Sequence, residues 1–484
     1  MGGWDERVIA SSFSKHRFGR PTHVAQELQV DVEAVLMGLR SRLPMEIGYG
    51  LTVLSMLSMP LHDGKAPNLP IEPLTEVYLE VLDLIAESTL GDGGIAEWLA
   101  AHTSPASAAP SRSSVSREAV ERMTYAELEQ LGSDIEYTVE DENSCAGEDN
   151  KRQTDIIFAG LNIIRNFSML PENHAHMARV ELFNVLAAVT DKALMRMPGE
   201  PVDSSRPYSV LEYARVCRDA VSILANLGGS FDLRQMPKPS VLAIIHLLAS
   251  FLVSAWQVLQ KREPGYGPSI PVSVRDVPPA TILSIDRALE GFCRLTLPDH
   301  NREVVASIVP SEELVELFES LVKLFPLSAR EAEALRTIDD YLARVELIAL
   351  SVYSLAFLAP QHARQGMRTT AGATAVMTRL VYALAPQAAD LKTSRYGILV
   401  RRVAETLGVL NGTVNPGGNA DRMSFSAGGV DGKGWRFASD AVEPGWLAYD
   451  ADRVLEAMGW GRGDGRSWRV DGPTFAELDG LWSA

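Results

Sequence analysis

The chain has 484 residues, 46% of them hydrophobic, with a mean hydropathy of 0.00, which is ample material for a large core. Forty-five basic residues stand against 62 acidic ones, and the net charge of −17 would repel a phosphate backbone rather than bind it. Cys145, Cys217 and Cys293 are too few and too scattered for a disulfide framework or a zinc site, and they fit a reducing compartment.

Residues 1–30 read as a lead-in. Lys15, His16, Arg17 and Arg20 make a small basic cluster before Pro21, most simply a solvated one. The opening MGGWDERV shows no basic-then-apolar leader pattern. A helix is predicted over 32–42, and Pro44 sets a corner after it. Beyond that corner a signature begins to repeat, a small residue and then apolar residues three apart. It is Gly50-Leu51, Leu54 and Leu57, then Gly160-Leu161, Ile164 and Phe167. It returns from Ala220, from Ala288 and from Ser351, with a weaker copy at Ala404, Leu407 and Leu410. Each strong copy is followed by a second apolar helix, predicted over 73–86, 180–189, 239–259, 311–325 and 374–384. No such helix buries its stripe alone, so the pattern predicts an all-α array of stacked copies over 31–410.

The spacing between the first two copies is much longer than elsewhere. Residues 103–116 are rich in Ser, Ala and Pro, and 133–150 hold seven acidic residues and no basic one. Together they predict a mobile acidic insertion at about 103–150. Residues 261–279 read as a Pro/Gly-rich loop. From 411 to 484 the texture changes to a Gly-rich loop and a small cap. That stretch holds Trp435, Trp446, Trp460, Trp468 and Trp482. A capping unit over the last core is what a solenoid needs.

No catalytic constellation emerges. In GGVDGKG (428–434), Ala427 stands where a phosphate loop needs Gly, and Gly434 where it needs Ser or Thr. His174 and His176 lack a third ligand at metal spacing. The longest apolar run, 241–259, is interrupted by His246, Ser250, Ser254 and Gln257, so no membrane span is predicted.

Residues 160–189 resemble an armadillo repeat, in which an Asn precedes the third apolar position of the groove-lining helix. Here these are Asn166 in IIRNFS and Asn226 in ILANLG. The equivalent positions elsewhere are Met56, Arg294 and Phe357, so the Asn ladder is not continuous. LMGLRSRLPMEIGYGLTVLSMLS (36–58) followed by LNIIRNFSMLPENHAHMA (161–178) resembles one family more narrowly. It is the C-terminal armadillo region of the large subunit that carries an AT-rich interaction domain in SWI/SNF-class chromatin remodelling complexes, of the fungal kind.

That resemblance implies an armadillo- or HEAT-like solenoid, without cofactor or metal, acting as a nuclear, non-enzymatic scaffold in transcription regulation. Its partners would be the ATPase subunit's helix ahead of the motor and other core subunits. Asn166, Asn226, Arg165 and Arg294 are the candidate partner-groove residues. The AT-rich interaction domain is not visible in these residues, so no DNA contact is assigned to them. The alternatives are the equivalent subunit of an RSC-type remodeller or an unrelated armadillo cargo adaptor. The adaptor would call for a regular Asn and Trp ladder, and the groove helices lack Trp.

Overall fold

The computed structural model describes residues 31–58, 71, 74–91, 93–103, 148–194, 210–259, 279–326, 329–384 and 396–411. The expectations for the lead-in, for most of the acidic insertion, for the 261–279 loop and for the C-terminal cap lie outside these residues.

Among the described residues every regular element is helical and none is a strand. In chain order the helices are α1 (Val32–Arg40), α2 (Pro44–Ser58), α3 (Thr75–Leu90), α4 (Gly94–Thr103), α5 (Glu148–Ser168) and α6 (His174–Met177). Then come α7 (Val180–Leu194), α8 (Val210–Leu227), α9 (Lys238–Leu259), α10 (Pro279–Leu295), α11 (Asp299–Ile308) and α12 (Ser311–Val322). The last are α13 (Ala329–Thr337), α14 (Asp339–Leu358), α15 (Gln361–Thr369), α16 (Ala373–Leu384) and α17 (Gly397–Asn411).

These helices stack in two rows. Row A is α2, α5, α8, α10, α14 and α17, each packed on the next. Row B is α3, α7, α9 and α12, continued by α15 and α16. One core runs through the array, from Val35 to Leu410. The helical-repeat solenoid is therefore what the sequence pattern describes, and every apolar signature position from Leu51 to Leu410 is buried.

The pairing differs from the simplest reading of that pattern. Of the two neighbouring row A helices, each row B helix packs chiefly on the one that follows it in the chain. Thus α3 packs on α5, α7 on α8, α9 on α10 and α12 on α14. The repeating unit is second helix plus next signature helix, shifted by half a unit. Periodicity shows which face of a helix is apolar but not which neighbour covers it.

Two glycines mark close approaches within this packing. A Cβ on Gly160 would lie 2.7 Å from Ile85 Cδ1, so α5 meets α3 there with no room for a side chain. Gly48, exposed on α2, has nothing within 4 Å of the same position. The two should therefore respond oppositely to alanine. Gly160→Ala is expected to cost about 1–3 kcal/mol by overpacking. Gly48→Ala should add about 0.5–1 kcal/mol through helix propensity. Denaturant melts of the two variants check this, and a shared sign would contradict the α3–α5 contact.

Short helices turn the corners. After α5 the chain makes a 3-10 turn over Pro171–Asn173 and then α6; after α10 it makes α11, and after α14 it makes α15. Buried asparagines hold two of these corners. Asn173 donates to the Phe167 carbonyl (3.1 Å) and accepts from the Ile71 N–H (2.9 Å) in the preceding corner. Asn301 does the same two levels on. It donates to the carbonyls of Leu295 and Phe231, both at 2.9 Å, and accepts from the Leu233 N–H at 2.9 Å.

By length and composition α14 could cross a membrane, which a search for uninterrupted apolar runs in the sequence does not suggest. It sits in row A between α10 and α17, with its apolar residues from Leu342 to Leu358 in the core.

Candidate partner-binding face

Row A carries all four residues that the sequence singles out, with Arg165, Asn226 and Arg294 on its outward face and Asn166 buried beside them. Along α5 the only positions not buried in its well-packed part are Asp155, Phe158, Ala159, Asn162 and Arg165, a single stripe at helical spacing. On α8 the equivalent stripe is Arg215, Arg218, Ser222 and Asn226, and on α10 it includes Leu283, Arg287, Glu290 and Arg294. Stacking brings the three stripes side by side.

The two asparagines lie at matching positions on consecutive helices, as their phase predicts, and both amides are engaged inside the array. Asn166, 7% exposed, donates from Nδ2 to the Ser58 hydroxyl at 3.2 Å. Asn226, half-buried, donates to the Ser168 hydroxyl at 2.8 Å. The hydroxyls in turn donate to backbone carbonyls of their own helices, Ser58 to Ser55 and Ser168 to Arg165. In the next helix Arg294 takes the place of Asn and its Nη1 donates to the Asn226 carbonyl at 3.2 Å. One side chain per helix thus reaches back to the helix before it, from α10 to α8 to α5 to α2. The register of these residues is legible in their spacing, whereas the direction of their amides is not.

Arg165 lies above the Asn166 rung. Its Nη1 meets Asp219 on α8 at 2.5 Å and its Nη2 meets Asn162 at 2.6 Å. Burial pushes the Asp219 carboxyl up, while Arg165, Arg215 and Arg218 pull it down. The Arg215 guanidinium stacks 4.3 Å from the Phe158 ring centroid, a cation–π contact between α8 and α5. Arg294 also pairs with Glu290 at 2.6 Å. Beyond the rungs, Met169 and Leu297 follow the ends of α5 and α10 at equivalent positions, 52% and 63% exposed.

Charge divides between the rows. Among the described side chains on the outward stripes of α5, α8 and α10 the basic residues are Arg152, Arg165, Arg215, Arg218, Arg287 and Arg294, against Asp155, Glu290 and the Arg344-bound Asp286, with Asp219 buried beneath. Two row B helices present the opposite sign. Glu76, Asp83 and Glu87 are exposed on α3, and Glu312, Glu313, Glu316 and Glu319 on α12.

Among the described residues no group of three or more His, Cys, Asp or Glu side chains is placed to hold a metal ion. His174, half of the candidate metal pair, uses Nε2 on the Ser168 carbonyl at 2.9 Å and so closes the end of α5. Cys217 and Cys293 are each pushed up to about 12 by burial, so both are protonated thiols at neutral pH.

The corner asparagines Asn173 and Asn301 are absent from the residues that the sequence singles out. The signal that could have found them is a Pro followed two or three residues later by Asn, six residues past the last apolar signature position, in PEN and PDHN.

A search of curated proteins found no match to the chain. Residues 199–357, a stretch that takes in α8 through nearly all of α14, match the sequence profile described as SWI/SNF-like complex subunit BAF250/Osa. That stretch is thus similar to the kind of large remodeller subunit that the armadillo segments resemble.

Proposed function

We propose that the chain is a non-catalytic scaffold of a SWI/SNF-type ATP-dependent chromatin remodelling complex, and works in the nucleus. Residues 31–410 form its array, flanked by the lead-in at 1–30 and the Gly- and Trp-rich segment at 411–484. Row A holds the ATPase subunit's helix ahead of the motor, and other core subunits meet the remaining surface. Arg165 and Arg294 contact the partner, while Asn166 and Asn226 keep the supporting helices in register beneath them. The observation that carries this reading is the family match over 199–357, which falls on the middle of row A.

The test is co-purification of the tagged chain from nuclear extract, followed by mass spectrometry. Recovery of a remodeller ATPase with other core subunits is the expected result. Recovery of transport receptors or cytoskeletal proteins in their place would overturn the scaffold assignment in favour of a cargo adaptor.

A further inference from the structure

Among the described side chains, the outward stripes of α5, α8 and α10 carry more arginine than carboxylate, on a chain whose net charge is −17. Arg165, Arg287 and Arg294 have carboxylate partners at contact distance. Among the described residues Arg215 and Arg218 have no such ion pair, although both bear on the buried Asp219. Both lie on α8 in the middle of the row, with half-buried Phe158 of α5 under Arg215 and exposed Leu283 at the equivalent turn of α10. A surface of this kind fits a ligand that is acidic and apolar at once.

We infer that row A reads an acidic amphipathic helix of its partner subunit, with carboxylates seated at Arg215 and Arg218 and apolar side chains against Phe158 and Leu283. This deepens the scaffold reading and rests on it. Charge complementarity selects the occupant. The face is basic, whereas exposed glutamates crowd row B at α3 and α12, so an acidic segment is drawn to one row and repelled by the other. A nucleic acid fits less well. Asp155 and Glu290 are interleaved with the arginines, and the Phe158 ring lies under Arg215 rather than open for base stacking.

The geometry also sets a spacing. Packed helices lie about 8–10 Å apart, and a helix rises about 1.5 Å per residue. A partner helix running along the array therefore meets a new row A helix about every five to seven residues. Its acidic cluster should therefore face α8, with apolar residues about one such interval to either side, toward α5 and α10.

The experiment measures binding of the full chain to the purified remodeller ATPase subunit, at low and at high salt. Wild type is compared with R215E/R218E, with R215Q/R218Q and with R215K/R218K. None of these alters a rung or a core residue, and a thermal melt of each checks the fold. Charge reversal is expected to weaken binding by about tenfold to a hundredfold at low salt, with the gap closing as salt rises. The glutamine pair should fall between, and the lysine pair should stay near wild type. If wild type binds and the reversed protein binds equally, the acidic-helix inference fails while the scaffold reading stands. If wild type does not bind, the ATPase-holding reading fails, and the inference with it. Displacement of the ATPase by a short DNA duplex would assign the face to nucleic acid. Binding only after deletion of residues 133–147 would assign it to the chain's own acidic stretch. Either of these would overturn the proposal.

Discussion

Asn301→Ala should unfold the protein at markedly lower denaturant, with a loss of about 3–5 kcal/mol. The side chain is 0% exposed and serves three backbone groups at once. Its amide nitrogen satisfies the carbonyls of Leu295 and Phe231, and its oxygen takes the Leu233 N–H. Those groups belong to two successive corners, so no single helix can replace the partner they lose. Each buried polar group left unpaired costs about 1–3 kcal/mol, and the three terms share one site and do not simply add. Ser307→Ala, an exposed position on the same helix, should change stability by no more than about 0.5 kcal/mol. Equal melts for the two variants would mean that the corner is wet and Asn301 is not holding it.

Leu224→Ala is expected to cost about 2–5 kcal/mol, because truncation of a packed leucine removes apolar burial and leaves a cavity. Leu224 is 1% exposed, in the middle of α8, where α10 crosses close by. A Cβ on Gly291 would lie 3.5 Å from the Leu224 backbone carbon and 3.4 Å from Leu248 Cδ2, so α8, α9 and α10 meet at this point. Contacts this tight leave little freedom to collapse into a void, which places the expected loss above the low end of the range. A loss near zero would mean that the helical phase read from Val221, Leu224 and Leu227 is wrong.

How much of the fold is legible in the sequence depends on the kind of interaction. Apolar residues three apart recur only if one face is buried, so the row A signatures are legible residue by residue, including the small residue at Gly160. The pairing of the rows is not, because any apolar stripe can be covered by any neighbour. Helix α4 goes unseen for a related reason. Gly94–Thr103 buries none of its residues fully. It is tethered instead by Trp98 Nε1, which donates to Asp191 at 3.3 Å, and by His102, whose Nε2 lies 3.3 Å from the same carboxylate. Such long-range polar contacts leave no periodic trace.

The face itself is half legible. Asn166, Asn226, Arg165 and Arg294 stand out by phase and by the armadillo resemblance, and the structure gathers them on one row. Arg215 and Arg218 do not, since a charge on a helix stripe reads as a solvated position until its neighbours on other helices are known. Arg42 shows the same limit. It ends α1 in the left-handed region at φ 55°, and its guanidinium reaches the Leu39 carbonyl at 3.0 Å and Glu80 at 2.5 Å. The acceptor on α3 is 38 residues away in the chain.

The most direct test of the central claim is site-specific photo-crosslinking in the assembled remodeller. A benzophenone side chain is placed at Leu297, exposed on the row A side, and in a second protein at Glu316, exposed on α12 in row B. The account predicts that Leu297 crosslinks to the ATPase segment ahead of the motor and that Glu316 does not. Crosslinking of that segment from Glu316 alone, or from neither position in a fully assembled complex, would contradict it.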